Sequence, residues 1–294
     1  MEFSTKENSN TSRIREKTLS DLINKSRLYF LGVRVDNIDR DTALAAIKNF
    51  LYFRNNNIPK KVFFTNVHTI HLARSSQDFR EKVNNADLVL ADGSGLSIAG
   101  KILSRPIKEN LNGTDLTPIV LHEAEKEGWS VYLLGAKDSV LEKCIQNLQI
   151  KFPNLKIAGY NDGFFTKEET PALIERINRV KPDILLVAMG SPIQELFIGN
   201  NAQSLSAVVC FAVGGLFDFL SGDKKRAPLW VRKIGMEWVF RFFLDPKAKW
   251  NRIFLEIPAF LFIIVVQRIA SFISPITRII FPKSKTGDVL INDK

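Results

Sequence analysis

The first twenty residues (MEFSTKENSNTSRIREKTLS) carry no run of apolar positions. They lack the apolar core of a signal peptide, and residues 1–27 read as a disordered leader. From Tyr29 the pattern changes. YFLGVRV reads as a strand, and residues 41–52 as an amphipathic helix with Ala43, Leu44, Ile47 and Leu51 on one face. Short continuous apolar runs follow at 62–65, 88–91, 131–134, 157–160, 184–188 and 208–213. Helical patterns at 68–74, 94–103, 116–127, 140–152, 171–180 and 195–201 fall between most of them. Continuous apolar strands alternating with helices predict a mostly parallel sheet covered on both faces. The expected fold is one Rossmann-like α/β domain over residues 28–221, with no internal repeat.

The strand ends carry glycine: Asp92-Gly93-Ser94-Gly95, Gly135-Ala136, Gly190-Ser191-Pro192 and Gly214-Gly215. Glycine lets backbone amides approach a ligand at the carboxyl edge of a parallel sheet, where open α/β folds bind substrates. Tight turns need glycine anyway, but four such ends together favour a nucleotide site.

After Ser221 the composition shifts. The chain carries a formal charge of +10, and residues 222–252 hold nine Lys/Arg against three acids, more than half of that excess. Aromatic residues interleave there (Trp230, Trp238, Phe240, Phe242, Phe243, Trp250), followed by ten uncharged residues at 257–266. A membrane span needs about twenty apolar residues, so this run is read as too short to cross. Residues 222–282 are expected to lie at a membrane surface, with cations meeting anionic lipid; the competing reading is a helix packed on the core. Residues 283–294 read as a disordered tail. A basic chain also suits nucleic acid, but charge clustered with aromatics beside an apolar run fits a membrane better, and no nucleic-acid partner is expected.

Candidate chemistry is sparse. Asp92, after a strand and before Gly-Ser-Gly, serves either as a general base on a rigid support or as a helix cap. Thr65 and Asn66 close another strand and either hold a ligand or make a turn or cap. Gln194 is either a ligand contact or an ordinary first-turn polar residue. Asp218, among Phe217, Phe219 and Leu220, needs a ligand or a structural partner. Asp39-Arg40-Asp41 resembles a DxD metal motif but precedes a helix and reads as capping. His68 and His71 lack an acidic partner at ligand spacing, so no metal site is expected. Cys144 and Cys210 read as buried reduced thiols.

LGVRVDNIDRDTA, TNVHTIHLA, ADLVLADGSG, NGTDL, VYLLGA, GYNDGFF, PDILLVAMGSPIQE and GGLFDFLSGDKKRAPLWVRKIGMEWVFRFFLDP together resemble the WecG/TagA/CpsF family, glycosyltransferase family 26, from about Phe30 to Arg252. The last stretch is the most specific. The resemblance implies an inverting, metal-independent transferase with no cofactor. Its donor would be UDP-N-acetylmannosamine or a related UDP-hexose, and its acceptor an undecaprenyl-diphosphate-linked sugar in cell-surface polysaccharide assembly. The enzyme would work peripherally on the cytoplasmic face of the cell membrane, as a monomer or homo-oligomer. Two alternatives stand beside this: a UDP-glucose-type transferase of exopolysaccharide assembly, and a non-catalytic scaffold binding UDP-sugar or lipid.

Carried over residue by residue, the resemblance makes Asp92 the base and puts Arg241 at the diphosphate. Asn66 and Gln194 match family motif positions, and Asp218 is expected near the uridine. Thr65, Gly93, Gly95, Asn112, Gly135 and Gly214 would line the substrate, with Lys247 and Arg252 standing where the family has an arginine-rich run. The sequence departs from the family pattern at Phe64, where threonine is usual, and at Asn110, where arginine is usual, both at the expected hexose position.

Overall fold

The computed structural model describes residues 17–54, 58–233, 236–244 and 246–280. Residues 17–25 form a first helix, α1, and Ile23 on it is buried in the core. The end of the stretch expected to be a leader is therefore part of the fold, while residues 1–16 lie outside the described residues.

YFLGVRV differs from its expectation in shape. It is a two-stranded antiparallel hairpin of β1 (Arg27–Phe30) and β2 (Val33–Asp36). Leu31 and Gly32 turn it with φ of 50° and 83°, the left-handed pair that two-residue hairpins favour. The buried Asp36 carboxylate accepts a 2.8 Å bond from the Val89 amide, so the hairpin covers part of the sheet's edge.

The sheet itself has six strands: β3 (Lys60–Thr65), β4 (Leu88–Ala91), β5 (Ser130–Gly135), β6 (Lys156–Asn161), β7 (Ile184–Ala188) and β8 (Val209–Ala212). Their spatial order is β4-β3-β8-β7-β5-β6 and every neighbouring pair is parallel. Continuous Val/Ile/Leu/Phe runs are required because both faces are covered. One face carries α2 (Arg40–Tyr52), α6 (Gly113–Glu127), α7 (Asp138–Lys151) and α10 (Leu216–Leu220). The other carries α3 (Val67–Ser75), α4 (Gln77–Asn84), α5 (Ser94–Ile102), α8 (Thr170–Val180) and α9 (Ile193–Asn201). Helix α4, short and polar, had no counterpart in the hydrophobic pattern. Cys144 and Cys210 are buried free thiols.

The helices that follow β8 and β5 lie on one face, and those that follow β3 and β7 lie on the other. Along the sheet, β8 sits between β3 and β7, so the chain parts in opposite directions at neighbouring strand ends. That divergence opens a crevice at the carboxyl edge, where doubly wound sheets take ligands.

Beyond Ser221 come α11 (Leu229–Lys233), α12 (Glu237–Leu244), α13 (Pro246–Asn251), a π-helical turn (Arg252–Glu256) and α14 (Ile257–Ile280). The stretch Arg252–Ser271 is long and apolar enough to cross a membrane by length and composition, which corrects the reading of this segment as too short. It is nevertheless fastened to the domain. Phe260 and Ile264 are buried in the core on the α3 and α5 side. Glu256 meets His68 Nδ1 at 2.8 Å, and Arg268 donates to Ser104 Oγ at 2.9 Å. The opposite face, with Phe254, Leu255, Phe262, Val265, Val266 and Ile269, is exposed. One face of this segment packs on the core, as the competing reading expected, and the other is an uncovered apolar stripe.

Candidate active site

Two strand ends meet first. β3 ends at Thr65 and β4 at Ala91, paired in register, and the Asp92 amide donates to the Thr65 carbonyl at 2.8 Å. Asn66 is the N-cap of α3, accepting from the Thr69 amide at 3.1 Å, which realises its capping alternative. Its other amide end is turned the opposite way, and Nδ2 donates to Asp92 Oδ2 at 3.2 Å. Asp92 caps nothing: the N-cap of α5 is Gly93, with no side-chain cap bond. Gly93 has φ of 93° with nothing within 4 Å of where a Cβ would stand, so the backbone at the carboxylate is open. The Thr65 side chain, expected at the ligand, is fully buried, and its hydroxyl has no partner among the described residues.

On the other face, Asn112 caps α6 through the Asp115 amide at 2.9 Å and donates to the Asp115 carboxylate at 2.7 Å. Asp115 then gathers two arginines from the segment after Gly222. Arg226 Nη1 lies 2.5 Å and Arg232 Nη1 3.1 Å from its Oδ1. Burial pushes the Asp115 carboxyl up, but the bonds from Arg226 and Asn112 outweigh it and hold it below the ordinary carboxylate value. Asp218 on α10 has found the structural partner it needed, pairing with the Lys224 ammonium, while its carbonyl accepts the Lys224 amide. Three cations of the basic segment thus already hold carboxylates of the core.

Further along the edge, Gln194 and Glu195 open α9 from a buried position. Gln194 Nε2 donates to Glu195 Oε1 at 2.9 Å, and its Oε1 accepts from the Gly214 amide at 2.9 Å, so the loop after β7 is tied to the end of β8. Gly95 and Gly135 serve close packing rather than an open surface. A Cβ on Gly95 would stand 2.5 Å from Val67 Cγ2, and one on Gly135 2.3 Å from the Ala188 carbonyl oxygen.

Arg241 lies on α12, and its side chain is outside the described residues. Lys247 is exposed on α13 and Arg252 begins the π-helical turn. Asp39 caps α2 through the Thr42 amide at 2.9 Å, as its position suggested. Among the described residues no three His, Cys, Asp or Glu side chains converge as metal ligands would. Glu195 and Asp115 were missed in the sequence. A glutamate inside the apolar run IQELFI was a signal for the first; the two arginines that Asp115 holds lie more than a hundred residues away, and its local partner Asn112 reads only as a helix cap.

An all-parallel sheet with open glycine turns, and with an amide-held carboxylate at its carboxyl edge, defines an α/β enzyme of the kind that takes its substrate in the strand-end crevice. The family model for the glycosyl transferase WecG/TagA/CpsF family matches residues 28–272. The N-acetylglucosaminyldiphosphoundecaprenol N-acetyl-beta-D-mannosaminyltransferase of Staphylococcus aureus (strain NCTC 8325 / PS 47) is 32% identical over 249 residues, 83% of this chain and 94% of that protein. The enzyme of the same name from Bacillus subtilis (strain 168) is 32% identical over 188 residues, 64% and 72% of the two chains. The chain belongs to the WecG/TagA/CpsF family and is a glycosyltransferase.

Proposed function

We propose that this enzyme moves a hexose, N-acetylmannosamine or a close relative, from a UDP-sugar to an undecaprenyl-diphosphate-linked sugar, with inversion and without a metal. It does so at the cytoplasmic face of the cell membrane, in cell-surface polysaccharide biosynthesis. The names of the two relatives support the acceptor and the sugar. The observation that carries the chemistry is the Asp92 carboxylate, which caps no helix and is gripped on one oxygen by Asn66.

Asp92 takes the proton of the acceptor hydroxyl as that oxygen attacks the anomeric carbon. The bond from that carbon to the UDP oxygen breaks on the opposite side, and its electron pair leaves with the diphosphate. Asn66 fixes the carboxylate so that its other oxygen meets the proton. Charge building on the diphosphate needs positive partners. Arg241, Lys247 and Arg252 supply it from α12, α13 and the π-helical turn, which follow the stretch whose Arg226 and Arg232 hold Asp115 on α6.

The exposed apolar face of α14, with Phe243 and Trp250 before it, rests on the bilayer surface and brings the site to its lipid acceptor. The α/β core is residues 28–221, and 222–282 form the membrane-facing appendage whose cations complete the site. Purified enzyme is tested with a panel of UDP-sugars and a lipid-diphosphate N-acetylglucosamine acceptor, with and without excess EDTA. Transfer from UDP-N-acetylmannosamine that survives EDTA is expected. Transfer from UDP-glucose alone would change the donor, UDP binding without turnover would make the protein a scaffold, and EDTA-abolished, Mn²⁺-restored transfer would refute the metal-free scheme.

A further inference from the structure

Glu195 takes no part in the scheme above, yet it is a carboxyl placed at the sheet's carboxyl edge with only 1% of its surface exposed. Its Oε1 accepts from Ser191 Oγ at 2.7 Å and from Gln194 Nε2 at 2.9 Å, while its Oε2 is buried with no partner among the described residues. An ionised carboxylate with a dry, unpartnered oxygen is costly, and burial pushes the Glu195 carboxyl up against the pull of those two bonds.

The side-chain amide of glutamine has a donor end and an acceptor end, and a surrounding acceptor decides which way it faces. Glu195 Oε1 draws the NH2 end of Gln194. The carbonyl end is thereby turned to the Gly214 amide, 2.9 Å away. Gly214 follows β8, the strand at the point where neighbouring chains part, and has φ of 57° with nothing within 4 Å of where a Cβ would stand. Its open backbone therefore faces the crevice, while Gln194 itself is 3% exposed and spends both amide ends on the protein.

We infer that Glu195 is a positioning residue: it orients the Gln194 amide, and through it sets the Gly214 turn that receives the UDP part of the donor. Gln194 acts through the Gly214 backbone rather than by reading the ligand with its own side chain. The inference rests on the UDP-sugar reading above.

The test is calorimetric titration with uridine diphosphate, alongside thermal melts. Wild-type protein should bind, and Glu195→Ala should bind about tenfold more weakly or worse, the loss of roughly 1.4 kcal/mol. Glu195→Gln should recover the affinity, because its carbonyl oxygen can accept the same two bonds. Its melt supplies a second readout should the alanine variant not fold. A raised carboxyl contributes stability that is complete below the unfolded value and is lost as pH rises through the folded one. The stability gap between Glu195→Gln and wild type should therefore widen in favour of the variant as pH rises above the ordinary carboxylate range. A folded Glu195→Ala protein that binds UDP as tightly as wild type would overturn the inference alone. Equal weakness of Glu195→Gln and Glu195→Ala would also overturn it. No UDP binding by wild-type protein would remove the donor reading and this inference together.

Discussion

Asn66 does two jobs with two ends of one amide, and substitutions can separate them. Its Oδ1 caps α3 through the Thr69 amide, and its Nδ2 holds Asp92. Asn66→Ala removes both. Loss of an N-cap costs about 1 kcal/mol, which lowers the melting temperature by about 2–4 °C for a chain of this size. Asn66→Ser keeps a cap acceptor, so the melt should stay near wild type, but the short hydroxyl cannot reach Asp92. A hydrogen bond to a charged group contributes about 1.5–3 kcal/mol. Expressed fully in the transition state, that is about 10- to 100-fold in kcat. Asn66→Asp also keeps the cap, but sets a second carboxylate against Asp92 and should be the slowest of the three at neutral pH. The assay is single-turnover transfer beside circular-dichroism melts. Asn66→Ser turning over at the wild-type rate would refute the orienting role and leave Asn66 as a cap only.

Other perturbations probe the remaining parts. Asp115→Asn should slow transfer, because Arg226 and Arg232 lose the carboxylate they share; an unchanged rate would mean that this contact does not place the appendage. Asp115 is depressed in the fold, so its contribution to stability is present above the unfolded carboxylate value and is lost as pH falls through the folded one. The difference in melting temperature between wild type and Asp115→Asn should therefore shrink in acid. Phe262→Asp, on the exposed face of α14, should weaken binding to anionic vesicles in high salt without moving the melt. Phe260→Asp strikes the buried face of the same helix and should lower the melting temperature sharply, by about 3 kcal/mol or more of stability. Burial pushes Cys144 up to about 12 and Cys210 higher still, so neither thiol should react with a maleimide at pH 8 until the protein unfolds.

The parallel sheet was legible because its strands are continuous apolar runs separated by helices of the right period, and six of six strand positions follow from that pattern. The hairpin was not, because YFLGVRV carries its turn on Leu31 and Gly32, and a leucine with positive φ has no signature in composition. Helix α4 escaped because only Phe79 and Val83 of its eight residues are buried. At the site, strand-end position pointed to Asn66, Asp92 and Gln194, and a carboxylate in an apolar run pointed to Asp218. Neither could divide their duties: the fold makes Asn66 both a cap and a holder of Asp92, and gives Asp218 to Lys224. The double character of α14 was hidden as well, since Phe260 and Phe262 are alike in sequence and only packing sends one into the core and leaves the other bare. A deletion of everything after Gly222 should accordingly expose core surface on α3 and α5, rather than leave the domain intact.

The most direct test of the transfer chemistry is the rate at which Asp92→Asn moves N-acetylmannosamine from UDP to a lipid-diphosphate N-acetylglucosamine acceptor, measured beside its affinity for UDP. Asp92 makes no cap bond, so the variant should melt near wild type and bind UDP as tightly. Its turnover should fall by about 10²-fold or more, the loss expected with a general base. A folded Asp92→Asn enzyme that transfers at the wild-type rate would contradict the assignment of Asp92 as the group that takes the acceptor's proton.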